Sequence, residues 1–176
     1  MRMYTRWAAA AVLLAGLASA LPLHAAAVQL APVTIAAPLQ AALHERYGSD
    51  EGAVLKAAVT ERLVRSLKAA GASLDAGAPL RIEVSIEDAA PTHPTRHQLA
   101  LNPGLDFWRS VSLGGAHLRA VLRSADGREL ERVDFDHYAP TLDLVSPSAD
   151  AWGDARVTIE RFSDQVVKVW QRRSGA

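Results

Sequence analysis

His93 and His97 stand four residues apart around Pro94-Thr95-Arg96, a spacing that paired imidazole ligands use on a helix face. Pro94 works against a regular helix through both. A zinc site also needs a third or fourth ligand, and the chain contains no cysteine to supply one. Further along, Asp106-Phe107-Trp108-Arg109 sets two adjacent aromatics between opposite charges. Trp and Arg are over-represented where binding energy concentrates at protein interfaces, so these four residues form the candidate contact site and His93 with His97 the candidate metal pair. The plain structural alternative is that Leu105, Phe107 and Val111 fold down to close the end of the core.

Other arrangements point to less. His117, Asp134, Asp136 and His137 bring imidazoles and carboxylates near one another in sequence, but strand alternation turns His137 to the face opposite His117 and Asp136. Nucleophilic catalysis has no local signature: there is no G-x-S-x-G elbow and no thiol. Gly114-Gly115 leads into a strand, so it lacks the aligned amides of a phosphate-binding helix start and suits a bulge or a tight turn into Ala116. No cofactor is expected, and no catalytic residue is assigned.

The elements that must position these residues follow from periodicity. Val28 to Ile35 is rich in β-branched residues and forms an opening strand, placed at an edge or with a bulge because Pro32 has no N–H for a ladder. Pro38 to Tyr47 suits a short helix ended by Gly48. Leu55, Val59, Leu63 and Leu67 recur every fourth residue, giving a helix with Ser49 or Asp50 as its cap and Gly71 as its stop. Leu80 to Glu87 alternates apolar and polar side chains without error, as a strand with one buried face does.

Ala116 to Arg123 and Arg128 to Tyr138 read as two more strands joined through Asp126-Gly127, a hairpin signal. A two-residue turn places Leu118 opposite Phe135, Ala120 opposite Val133, Arg119 opposite Asp134 and His117 opposite Asp136. Near the turn that register sets Leu122 against Glu131. A three-residue turn would pair Leu122 with Leu130 and require a second bulge near Arg132. Both remain open. Ser146-Pro147 offers a helix start, and Ala155, Ile159, Phe162, Val166, Val169 and Trp170 form the apolar stripe of a long final helix. The predicted order is β-α-β-β-β-α: an α+β two-layer sandwich with a mainly antiparallel sheet and helices on one face.

The first residues are an address. Arg2 and Arg6 precede an uncharged Ala- and Leu-rich stretch from Trp7 to Ala20, then Pro22 and the small residues Ala25-Ala26-Ala27. That is a secretory signal, residues 1–27, with cleavage at some point within 20–27; Ala18-Ser19-Ala20 is a second possible cut. Residues 28–176 then form a single α+β domain with no membrane span and no acylated cysteine. Arg2 and Arg6 leave with the leader, so 17 basic residues face 19 acidic ones, a net charge of −2 that offers no footprint for nucleic acid.

The run from Pro94 to Leu99, the run from Asn102 to Ala116, and Tyr138-Ala139-Pro140 resemble a block found in small exported proteobacterial proteins with no established activity. The resemblance covers most of the mature chain. It implies the periplasm and a single domain, with secretion beyond the cell as the alternative, and brings no catalytic residues with it. The functional expectation is a non-enzymatic domain that binds an envelope protein or a cell-wall component through the Pro-bounded loop 91–115 and the open sheet face. The alternatives are a metal-dependent periplasmic hydrolase and a small-ligand carrier.

Overall fold

The computed structural model describes residues 26–175, so the predicted leader lies outside the described residues apart from Ala26 and Ala27. Six strands form one mixed sheet. β1 (Ala27–Leu30), β2 (Thr34–Ile35), β3 (Ser73–Leu74), β4 (Leu80–Ala90), β5 (Gly115–Ser124) and β6 (Glu129–Tyr138) are ordered β3-β1-β4-β5-β6, with β2 also beside β4. β1 and β2 run parallel to β4, whereas β4, β5 and β6 are antiparallel, which is the larger part of the sheet. The helices are α1 (Ala37–Ala42), continued by a π-helical turn over Leu43–Tyr47, then α2 (Glu51–Ala69), α3 (Arg96–Leu101) and α4 (Gly153–Ser174). The chain is therefore α+β. The simpler order predicted from sequence gains β2 split from β1, the separate short helix α1, the short β3, and α3.

The split has a local cause. Pro32 cannot donate, and the pairing of the first two strands with β4 slips by one residue between Leu30 and Thr34. Where β2 resumes the pairing, the Thr34 hydroxyl donates to the Val84 carbonyl at 3.2 Å. The expected bulge at Pro32 is thus large enough to make two strands.

The predicted core stripes are all buried. Leu55, Val59, Leu63 and Leu67 of α2 share one buried cluster with Ile82, Val84 and Ile86 of β4, and α4, with Phe162, Val166 and Trp170, covers β5 with Leu118, Ala120 and Leu122. α4 packs on β5, β6 and α2. The other sheet face carries an ion-pair lattice in which Arg123 binds Glu83 at 2.8 Å, Arg119 binds Glu87 at 3.2 Å, and Arg119 binds Asp134 at 2.9 Å.

The hairpin combines parts of both predicted registers. Leu118 faces Phe135, Arg119 faces Asp134 and Leu122 faces Glu131, while Arg123 faces Glu129, so one residue, Leu130, bulges next to the turn. The Ser124 amide donates to the Arg128 carbonyl around a three-residue turn whose Gly127 has φ of +82°. Leu122 does not pair with Leu130, and no second bulge forms at Arg132.

Two predicted helix starts are corrected. Asp50 makes no side-chain capping bond because its own backbone is already helical, φ −69° and ψ −24°. Glu51 instead accepts a 2.7 Å bond from the indole N–H of Trp152. The final helix begins at Gly153, seven residues after Ser146. Residues 146–152 wind toward it through side-chain bonds to amides two residues on, from Ser146 to Ser148, Ser148 to Asp150 and Asp150 to Trp152. The cap of α4 comes from 62 residues away: the Thr92 hydroxyl accepts the Asp154 amide at 3.0 Å.

Candidate contact surface

β4 ends, β5 begins and β6 ends on the same side of the sheet, and two long connections leave from there. The first, residues 91–114, starts with Pro91-Thr92-His93-Pro94-Thr95, every residue of which is buried. Thr95 caps α3 in a reciprocal capping box with Gln98 and donates its hydroxyl to the Tyr47 carbonyl at 2.6 Å. That helix corrects the expectation of an irregular loop, and its signal, Thr95-Arg96-His97-Gln98, stands in the sequence. The strand that leads into it is longer than the Leu80–Glu87 expected from alternation, since β4 continues through a bulge at Glu87 to Ala90.

His93 is 6% exposed. Its Nδ1 lies 2.9 Å from the Phe107 carbonyl, which can only accept, so that nitrogen carries the proton. The imidazole stacks on the Phe107 ring at 4.8 Å between centroids, and the Trp108 ring stands edgewise to both, 6.0 Å from His93 and 5.0 Å from Phe107. His97 is in the first turn of α3, outside that stack, beside Gly48. Among the described residues no three His, Asp or Glu side chains gather as a metal site would require.

The 106–110 turn is closed by its own polar groups. The Asp106 carboxylate accepts the amides of Trp108 and Arg109, each at 2.9 Å, and the Asp106 amide donates to the Ser110 hydroxyl at 3.0 Å. Asp106 therefore holds the turn, while Trp108 and Arg109 project from it. Trp108 is 64% exposed although the other tryptophans of the described residues, Trp152 and Trp170, are fully buried.

The second connection, residues 139–152, is tied to the first at both ends. The Ala139 amide donates to the Gly114 carbonyl at 2.9 Å, and the Thr92 amide donates to the Ala151 carbonyl at 2.7 Å. Its own exposed apolar residues are Leu142 and Leu144, 58% and 64% exposed. Leu101 and Leu113 on the first connection are exposed as well, and Val54 lies in a groove with Pro94 and Phe107. All six large exposed apolar side chains among the described residues therefore gather at this end.

Two open grooves flank the first connection. One, of about 1050 Å³, is lined by Asp50, Val54, Pro94, His97, Phe107 and Trp152. The other, of about 490 Å³, is lined by Arg46, Pro91, His93, Leu105, Val111 and Leu113. Leu105, Phe107 and Val111 are half-buried in these walls and stand outside the central core cluster. Between the sheet and α4, beside Trp170, the gap amounts to about 10 Å³, the room of one water.

No family model and no curated protein matches this chain. Among solved structures it is similar to a PelC dodecamer variant from Paraburkholderia phytofirmans, at 9% identity over 85% of this chain and 86% of that one, with a TM-score of 0.42. It is also similar to protein XCC0632 from Xanthomonas campestris, of the family DUF330, at 15% identity over 84% of each chain and the same TM-score of 0.42. Likenesses this distant transfer neither a fold nor a role. Among the described residues, no helix is long and apolar enough to cross a membrane.

Proposed function

We propose that this chain is an exported, periplasmic, non-enzymatic domain that binds an envelope protein or a cell-wall component through the 91–115 loop. Two layers, α2 and α4 over one sheet face, act as the scaffold, and the loop end acts as the contact surface. The observation that carries this reading is the gathering of all six large exposed apolar side chains of the described residues at one end, with Trp108 at 64% exposure beside Arg109. Leaving a Trp ring in water forgoes a large burial gain, and contiguous apolar patches on exported domains mark contact sites. The opposite sheet face is a poorer surface for contact because its arginines and carboxylates already satisfy one another.

The experiment is co-purification from periplasmic extract with Trp108→Ala and Arg109→Ala combined. Loss of a central Trp and Arg pair is expected to weaken capture by about 2 kcal/mol or more, roughly 30-fold. Recovery of the same partners in equal yield would remove the proposal.

A further inference from the structure

We infer that the two connections at the loop end form one mechanical unit, tied by the buried pair Thr92 and Asp154. Asp154 is 5% exposed and Thr92 fully buried. The bonds between them run both ways: the Thr92 hydroxyl donates to Asp154 Oδ2 at 2.8 Å, and the Asp154 amide donates to the Thr92 oxygen at 3.0 Å. The other carboxylate oxygen, Oδ1, accepts the Ser146 amide at 2.7 Å. One carboxylate thus holds the first connection through Thr92 and the second through Ser146. It does so in the first turn of α4, where the helix dipole favours negative charge and makes a buried carboxylate tolerable.

Gly114 closes the junction from above. A Cβ there would stand 2.3 Å from the Thr92 hydroxyl and 2.9 Å from Asp154 Oδ2. The first connection is pinned further by the Ser112 amide on the Thr92 carbonyl at 2.9 Å and the Ser112 hydroxyl on the Pro91 carbonyl at 2.7 Å. The two Thr92–Asp154 bonds are buried, so neither is readily exchanged for a bond to solvent when it breaks. Opening either connection therefore strips partners from the other, and Trp108, Leu142 and Leu144 are presented in a fixed relation. That last consequence rests on the proposed contact function; the tie itself does not.

The test is amide hydrogen exchange on the exported protein, with rates normalised to β5 amides that open only on global unfolding. Thr92→Val removes a hydroxyl from the first connection, and it is expected to speed exchange at Ser146 and through 140–150 by about tenfold or more. Thr92→Ser, which keeps the hydroxyl, is expected to stay within about twofold of the wild type. The reciprocal variant Ser146→Pro deletes the donor on the second connection and is expected to speed exchange at Thr92 and Ser112. Leu63→Ala, which weakens the distant α2 core, should leave both normalised rates unchanged. A response confined to the connection that carries the substitution, in either variant, overturns the inference. Because no partner enters the measurement, its failure would leave the Trp108 capture result standing on its own.

Discussion

At the scale of single residues, the chemistry-bearing side chains of the first connection are mostly spent on structure. His93 looks in sequence like half of a ligand pair, yet its Nδ1 proton goes to the Phe107 carbonyl and its ring to the aromatic stack. His93→Ala leaves that carbonyl without its donor and should cost about 1–3 kcal/mol, measured by denaturant unfolding, with a change in the emission of Trp108. Tyr138 gives a second prediction. Burial, and then its donated bond to Asp88 at 2.7 Å, push the phenol well above its ordinary range. The folded state favours the protonated phenol, so this stabilisation is full below the unfolded value of about 10 and is lost as pH rises beyond it. Above that pH the wild type should lose stability faster than Tyr138→Phe. At the acid end, the His117 and Arg119 side chains hold the Asp134 carboxyl below its usual range. That contribution is present above about pH 4 and is lost as pH falls through the folded value, so the acid limb of the stability profile should flatten in Asp134→Asn.

At the scale of elements, what a short window contains was legible and what distant residues supply was not. Period-four stripes in α2 and α4 and the alternation of β4 identify their buried faces, because each depends only on neighbours three, four or two residues away. The sequence points to Ser146 as the start of α4 and the helix begins at Gly153, because its capping group is Thr92, and nothing local marks a threonine as the cap of a helix 62 residues on. The hairpin shows the same limit on a shorter range. Pairing side chains by type identifies the outer register, but the bulge at Leu130 depends on turn geometry that Asp126-Gly127 does not fix by itself. Of the proposed contact site, Phe107, Trp108 and Arg109 are visible in the sequence as residue types; Leu142 and Leu144 are not, since it is the path of the chain that brings them to the same end. Gly114-Gly115 is where this folding is tightest. Gly115→Ala would place a Cβ 2.3 Å from the His137 carbonyl and 2.6 Å from the Tyr138 Cα, against rigid backbone. It should lower stability by more than Gly127→Ala, where only the positive φ resists, at about 1 kcal/mol.

At the scale of the whole molecule, the domain separates a stable body from a presented end. β1 begins at Ala27, paired with Ser73, and the Ala26 carbonyl accepts the Ser73 amide at 3.2 Å. Cleavage after Ala27 would remove that first pairing, so we propose the cut after Ala20, giving a mature chain that starts at Leu21; the intact mass of the protein purified from its host checks this. The proposed function requires contact at the loop end and not at the charged sheet face or the outer side of α2. Site-specific photocrosslinking in intact cells tests it most directly, with the crosslinker placed in turn at Trp108, Leu113 and Leu144, and for comparison at Glu61 on α2 and Val121 on the sheet face. One common adduct is expected from the first three positions and none from the last two. Adducts arising chiefly from Val121 or Glu61, with the loop-end positions silent, would contradict it.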